Sequence, residues 1–162
     1  MKFIWGLFDK VILVIIGVCI GGYLMAHKYC KMLNESEKEL DKQKYWVRLY
    51  DIWMLLKQSS VSIEEYLLNQ NITNIAIYGA SFLGIRLYYE LKNSKVRVKY
   101  LLDKNPAIYR KDIEVKNPKA NSYEDVDIVI VTALYTYDEI KVLLMEKGCK
   151  QVKAFDEILY EM

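Results

Sequence analysis

A turn bounded by two glycines is the part of this sequence best suited to binding chemistry. Gly79 and Gly84 enclose Ala-Ser-Phe-Leu, after the apolar run at 75–78 and before a stretch with helical spacing. Such a turn presents backbone N–H groups at a helix N-terminus, which favours a pyrophosphate or another anion. Ser81 replaces the middle glycine of Gly-x-Gly-x-x-Gly, the one that lets the backbone approach a pyrophosphate. The alternative is that both glycines serve only a tight turn and close helix packing.

An acidic residue ends the second predicted strand and completes the predicted site. Asp103 stands 24 residues beyond Gly79, where a carboxylate accepts hydrogen bonds from ribose hydroxyls and disfavours a 2′-phosphate. In open parallel sheets, ligands bind at the carboxyl ends of the strands, where the strand order reverses. These features predict a ligand with a pyrophosphate and a ribose, such as NAD, bound by Gly79, Ala80, Ser81, Phe82, Leu83, Gly84, Asp103, Lys104, Thr132 and Ala133.

Strands and helices alternate through the C-terminal half of the chain. Apolar runs predict strands at 75–78, 96–102, 126–132 and 151–155, with at most a short strand at 112–115. Helical spacing predicts helices at 83–92, 136–147 and 156–161, and Thr136 with Glu139 forms a capping box for the second of them. This alternation predicts an α/β fold: a small doubly wound parallel sheet, Rossmann-like, with strand order 3-2-1-4-5.

The N-terminal segment is strongly apolar. Residues 11–26 carry no charge, and as a helix these 16 residues span about 24 Å, so residues 7 and 8 must contribute to cross a core of about 30 Å. We expect a membrane anchor over residues 1–28, with residues 3–26 in the membrane. A cleaved signal peptide and a lipoprotein signal are the alternatives. Flanking lysines favour a cytoplasmic C-terminal domain, and the Gly17/Gly21 pair favours a homodimer through this helix.

Two helical segments connect the anchor to the sheet. Residues 27–44 are charged and lack glycine and proline, which indicates a solvated stalk. An apolar face then recurs at three- and four-residue spacing through Trp46, Leu49, Tyr50, Trp53 and Leu56. We expect this face to pack on the α/β domain; docking on lipid headgroups or on another protein is the alternative. The predicted domains are therefore 1–28, 29–70 and 71–162.

Composition excludes several classes of function. With 23 basic and 21 acidic residues, the net charge of +2 does not indicate a nucleic-acid partner. The three cysteines lack metal-ligand spacing, so neither a zinc site nor a disulfide framework is predicted. The single histidine, His27, lies beside the apolar segment, which removes histidine acid–base chemistry from the predicted α/β domain.

Three segments resemble a known group of domains: IAIYGASFLG at 75–84, YLLDK at 100–104 and DIVIVT at 127–132. Together they look like the Rossmann-like nucleotide-binding domains of bacterial glycan and capsule biosynthesis proteins, including the N-terminal domain of sugar O-acyltransferases. The resemblance covers residues 73–162 and implies a nucleotide-sugar ligand. Gly79, Gly84 and Asp103 carry over by position, whereas Ser81 departs. The chain has no hexapeptide repeat, so acyl transfer is not implied.

These observations favour a membrane-anchored nucleotide-binding module. It would act as an accessory or sensor for membrane-associated enzymes of glycan or polysaccharide biosynthesis and would have no catalysis of its own. The first alternative is an interaction scaffold that binds no ligand. The second is a small oxidoreductase or epimerase-like subunit, which would need a partner because the chain offers neither a substrate domain nor a histidine base there.

Overall fold

The structure of the protein is a computed structural model that describes residues 2–105, 112–119 and 122–162, without the side chains of residues 2–16 and 18. It divides into two compact units, Met1–Arg48 and Leu49–Met162. The first helix, α1, runs from Lys2 to Gln58 and supplies residues to both units. The second unit contains the α/β fold.

The predicted single-pass membrane localisation is wrong. In the part of the chain that the structure describes, no helix combines the length and apolar character needed to cross a membrane. Among the described side chains of α1, the uncharged run from Cys19 ends at Ala26, before His27 and Lys28. Its eight residues rise only about 12 Å, against about 30 Å of hydrocarbon. The rest of the predicted span has side chains outside the described residues.

The remaining elements alternate as the sequence predicts. A short helix, α2, spans Ile63–Asn69. The described strands are β1 Asn74–Tyr78, β2 Arg97–Leu102, β3 Val115–Lys116, β4 Ile128–Val131 and β5 Val152–Ala154. The helices among them are α3 Phe82–Leu91, a 3-10 turn Leu134–Thr136, α4 Tyr137–Glu146 and α5 Phe155–Glu161.

All described strands are parallel and lie in the order β3-β2-β1-β4-β5, which confirms the predicted topology. The central strand β1 pairs with β2 on one side and β4 on the other. Every residue of β4 is buried, as is every residue of β1 after Asn74, because helices cover both faces of the sheet. The carboxyl ends of β1, β2 and β4 therefore meet at one edge.

The C-terminal part of α1 packs within the second unit. Leu49 and Trp53 are buried, and the Trp53 ring meets Phe155 edge-on with centroids 4.8 Å apart. The Trp53 indole N–H donates to the Glu90 carboxylate at 2.9 Å, so the polar end of the ring is satisfied inside the interface. The prediction that this aromatic face packs on the α/β domain is confirmed for these two residues.

The turn between β1 and α3 is held by a close approach of two glycines. Gly79 has φ +110°, a left-handed conformation that side chains rarely adopt. Gly84, in the first turn of α3, lies so near that a Cβ built on it would overlap the Gly79 carbonyl oxygen. The Thr132 hydroxyl fills the space beside both residues. Both glycines are thus required by the geometry of the turn, whatever it binds.

We expect Gly84→Ala to lower the free energy of unfolding by about 3 kcal/mol or more, because its methyl group would meet backbone that cannot swing aside. Gly148→Ala is the matched control: Gly148 has φ +83° but open space around it, so that variant should lose only about 1 kcal/mol. Urea titration followed by far-UV circular dichroism measures both values. Equal losses would contradict the steric role of Gly84.

A carboxylate ties the amino ends of β1 and β4 together. Asp127, just before β4, accepts hydrogen bonds from the backbone N–H groups of Thr73 at 3.0 Å and Asn74 at 2.9 Å. These bonds favour the charged form, so they hold the pKa of Asp127 below its ordinary value. Because the folded-state pKa is depressed, the stabilisation is present above the ordinary pKa and is lost as pH falls through the folded value.

We expect Asp127→Asn to lower the free energy of unfolding by about 1–3 kcal/mol at pH 7, since hydrogen bonds to a charged group are replaced by a neutral acceptor. The difference from the unsubstituted protein should shrink as the pH falls below the ordinary aspartate pKa of 3.8. Asp51→Asn, at an exposed position of α1, should change the free energy of unfolding little at any pH. Urea titrations at several pH values test this, and a pH-independent difference would refute it.

Candidate functional site

One backbone N–H of the glycine turn already binds an internal carboxylate. The Ala80 N–H donates to Asp103 Oδ2 at 3.0 Å, and the Asn105 N–H donates to Asp103 Oδ1 at 2.9 Å. The structure therefore brings Asp103 to the turn, as the strand order predicts, but uses both of its oxygens to hold two loops. A negative charge in this position opposes a pyrophosphate at the same N–H groups.

Thr132 lies at the junction of β1 and β4 but is closed to a ligand. The side chain is only 2% exposed, and its hydroxyl donates to the Tyr78 carbonyl at 2.9 Å. Its backbone N–H donates to the same carbonyl, also at 2.9 Å. Of the neighbouring predicted site residues, Leu83 and Gly84 are buried and Ala133 is half-buried. The crevice at the reversal of strand order is thus filled by packing.

Three predicted site residues remain open to solvent: Ser81, Phe82 and Lys104. Ser81 is the N-cap residue of α3, yet its side chain makes no capping hydrogen bond. Phe82 is 85% exposed, which is unusual for a phenylalanine in a folded domain. Lys104 follows Asp103 at the end of β2. These exposed groups and the buried glycines share an edge of the sheet, but they do not form the predicted phosphate cradle.

A cavity of about 440 Å³ lies at the same edge, toward the β2 and β3 side. We call it the carboxyl-edge cavity; its lining residues are Lys104, Asn117, Pro118, Lys119, Glu139, Ile140 and Leu143. Its size falls in the range of small-molecule sites, and it combines apolar walls with a few polar groups, as such sites do. The two lysines provide positive charge, Asn117 an amide and Glu139 a carboxylate.

Local hydrogen bonds present both lysines of the cavity. Lys104 lies between Asp103 and Asn105, which are joined by the carboxylate-to-backbone bond described above. The Lys119 N–H likewise donates to Asn117 Oδ1 at 2.9 Å, so a second turn of the same kind carries Lys119. Neither lysine forms an ion pair within the described ranges, which leaves both ammonium groups available to an anion.

A buried tyrosine fixes the wall that follows β3. The Tyr123 hydroxyl donates to the Pro118 carbonyl at 2.6 Å, and the side chain is 1% exposed. Burial, with smaller contributions from Cys149 and Tyr78, raises the pKa of Tyr123 to about 12, so the hydroxyl keeps its proton and stays a donor. Tyr78 belongs to the same core cluster, and burial, with the Asp103 charge, raises its pKa too.

A second hollow of about 480 Å³ lies between α1 and α3 in the second unit. Tyr50, Trp53, Met54 and Tyr89 line it together with Lys57, Arg86 and Glu90. Glu90 forms an ion pair with Lys57 at 2.9 Å inside it and accepts the hydrogen bond from the Trp53 indole N–H. Among the described residues, no group of histidine, cysteine, aspartate and glutamate side chains is arranged to hold a metal ion.

Several residues of the carboxyl-edge cavity were outside the sequence prediction. Asn117, Pro118 and Lys119 follow β3, which has only two residues and gives almost no periodic signal. Glu139 was assigned to a capping box, but the Thr136 side chain makes no cap bond and instead donates to the Ala133 carbonyl at 3.3 Å. The Asn-Pro-Lys sequence at 117–119 is a turn signal that could have pointed to this loop.

Compared with known proteins, the chain matches no family model, no curated protein and no solved structure. The resemblance of residues 73–162 to nucleotide-binding domains of glycan biosynthesis therefore stays a prediction. Any inference about function therefore rests on the geometry of the described residues.

We expect Asp103→Ala to lower the free energy of unfolding by about 1–3 kcal/mol, because it leaves the buried Ala80 N–H without this acceptor. Asp103→Asn should lose less, since the amide oxygen can still accept one hydrogen bond. Urea titration of both variants measures the difference. If Asp103→Ala were as stable as the unsubstituted protein, the carboxylate would not be holding the turn.

Proposed function

We propose that this protein is a binding module for a phosphorylated, hydroxyl-rich small molecule, with a nucleotide-sugar as the first candidate and NAD as the second. The observation that carries the proposal is the carboxyl-edge cavity, in which Lys104 and Lys119 form no ion pair with any residue that the structure describes. The cavity lies at the edge of the sheet where parallel α/β folds bind ligands.

The lining groups match the chemistry of such a ligand. Two ammonium groups complement a diphosphate, and charge-assisted hydrogen bonds to phosphate oxygens are stronger than neutral ones. Glu139 can accept hydrogen bonds from sugar or ribose hydroxyls, and the Asn117 amide can donate to a hydroxyl or phosphate oxygen. Ile140 and Leu143 offer an apolar surface to a sugar ring or a base.

The position of the phosphate differs from the one that the sequence pattern indicates. Asp103 occupies the Ala80 N–H of the glycine turn and brings a negative charge to it, so the lysines, rather than the turn, would carry the phosphate. Asp103 then acts as a support: it fixes the turn that displays Lys104. The Asp103 charge disfavours the usual NAD pyrophosphate position on the turn. A diphosphate on the lysines is common to both ligands, and the resemblance to glycan and capsule proteins ranks the nucleotide-sugar first.

The resemblance to glycan and capsule proteins suggests a place for this activity. We propose that the module serves enzymes of glycan or polysaccharide biosynthesis as an accessory or a sensor of their nucleotide-sugar. None of the cavity groups forms a nucleophile–base pair, so the proposal assigns binding and no catalysis.

An interaction scaffold that binds no small molecule is the second candidate. The observation favouring it is that the Ala80 N–H of the glycine turn and the Thr132 hydroxyl both form hydrogen bonds within the fold. A scaffold needs these contacts for rigidity alone. The two candidates differ in whether the lysines of the carboxyl-edge cavity bind an anion.

Calorimetric titration of the full chain with UDP-sugars, CMP-sugars, NAD and NADP tests the proposal. We expect a UDP- or CMP-sugar to bind, and Lys104→Ala and Lys119→Ala each to weaken it by about 10- to 100-fold, the loss of one charge-assisted hydrogen bond.

Lys147→Ala is the matched control for this experiment. Lys147 is exposed at the opposite end of α4 from Glu139, so its removal changes the net charge equally without touching the cavity. If Lys147→Ala weakened binding as much as Lys104→Ala does, the ligand would be attracted by the positive surface charge in general. No binding of any of these ligands at millimolar concentration would refute the module and favour the scaffold.

A further inference from the structure

The hollow between α1 and α3 combines aromatic walls with a few charged groups. It lies within the second unit and has a volume of about 480 Å³. We call it the α1–α3 hollow; Tyr50, Trp53 and Met54 of α1 and Tyr89 of α3 form its apolar lining. Small-molecule sites have this size and this character, mostly apolar with a few polar groups that orient the ligand.

One positive charge in the α1–α3 hollow has no counter-charge. Three charged residues line it: Lys57, Arg86 and Glu90. The half-buried Glu90 carboxylate pairs with Lys57 at 2.9 Å, so these two groups together carry no net charge. Arg86, by contrast, forms no ion pair with any residue that the structure describes. The hollow is therefore complementary to a ligand with a single negative charge.

Contacts within the fold hold the aromatic rings of the hollow. The Tyr50 and Trp53 ring planes are 18° apart, with centroids 6.1 Å apart, and Trp53 also packs edge-on against Phe155. The Tyr89 ring lies against that of Tyr88, with centroids 5.3 Å apart. Aromatic rings attract a further ring in stacked or edge-on arrangements. A planar aromatic group therefore suits these walls.

We propose that the α1–α3 hollow binds a small aromatic carboxylate, with the ring against the aromatic lining and the carboxylate on Arg86. The planar guanidinium group can donate two parallel hydrogen bonds to a carboxylate, and such charge-assisted pairs are stronger than neutral hydrogen bonds. A phosphate ester fits less well, because its charge at neutral pH is between about −1.5 and −2 and one arginine would leave part of it uncompensated.

The size of the hollow favours a small molecule over a helix of a partner protein. A single helical turn, about 10 Å across and about 5.4 Å long, already takes up about 400 Å³. Most of a docked helix would therefore lie outside the hollow, whereas a molecule of one or two rings fits within it. This inference does not depend on the proposed function, because the α1–α3 hollow and the carboxyl-edge cavity share no lining residue.

Methionine-methyl NMR of the full chain, titrated with benzoate, phenylacetate and naphthoate, locates the binding. We expect naphthoate to shift the Met54 methyl signal, because the ring current of a bound aromatic group acts on nearby nuclei. Met145 on α4 is the matched reference: it is 49% exposed against 56% for Met54, and it lies outside the lining of the hollow, so its signal should not move. The variants Met54→Leu and Met145→Leu assign the two signals.

Substitutions at exposed positions test the two halves of the ligand. Arg86→Gln should weaken naphthoate binding about tenfold or more, whereas Arg97→Gln, the same change at an exposed position of β2, should not alter it. Tyr89→Leu should weaken it about threefold to tenfold by removing a ring contact. Tyr160→Leu on α5 is the matched control, since both tyrosines are 55% exposed. Far-UV circular dichroism checks that each variant folds.

Four results would overturn the proposal. If none of the three carboxylates shifted Met54 at millimolar concentration, the hollow would bind no ligand of this class. If neutral naphthamide bound as tightly as naphthoate, or Arg86→Gln bound as tightly as the unsubstituted protein, Arg86 would not recognise a carboxylate. Tighter binding of phenyl phosphate than of benzoate would indicate a phosphate site. If Tyr89→Leu lowered the sedimentation coefficient of the free protein, the hollow would be a contact between copies of the chain.

Discussion

The fold depends on the distance between one helix and one turn. Gly84 lets α3 approach the Gly79 carbonyl more closely than any side chain would allow, and Thr132 fills the remaining space from β4. The positions of β1, α3 and β4 relative to one another are thereby fixed at one point. Asp103 can then reach the Ala80 N–H and close the turn with its carboxylate. The junction at the centre of the sheet is tightly packed, and the carboxyl-edge cavity lies beside it, between α4 and the loops that follow β2 and β3.

Much of this fold could be predicted from the sequence, because its signals are local. The apolar runs at β1, β2 and β4 and the glycines beside them determine a parallel sheet, and the right-handed crossover rule then yields the observed order. The site was harder to predict. Asp103 could bind a ribose or a backbone group of the chain itself. The choice depends on its hydrogen bond with Ala80, 23 residues away in the sequence, which residue spacing does not reveal. β3 is only two residues long, so its sequence has no strand pattern that predicts the position of the loop with Lys119.

The N-terminal helix shows the opposite difficulty. An uncharged run was read there as a membrane span, whereas no helix in the described ranges has the length and apolarity to cross one. The composition of residues 27–44, charged and without glycine or proline, predicts a solvated stalk. Exposed apolar side chains lie between those charges, such as Tyr29, Met32 and Leu40, and they share one face of α1 only when the residues are placed around a helix. The composition of a segment does not distinguish the faces of its helix, whereas another molecule would contact only one face.

The Asp127 bonds to Thr73 and Asn74 lie at the amino edge of the sheet, one full strand length away from the lysines of the carboxyl-edge cavity. The contribution of Asp127 to stability against acid and the proposed choice of ligand would therefore depend on separate groups of residues. Substitutions that retune one property need not disturb the other, so descendants of this chain could change what they bind while keeping the same resistance to acid. The separation arises because the amino and carboxyl ends of the strands lie on opposite sides of a parallel sheet.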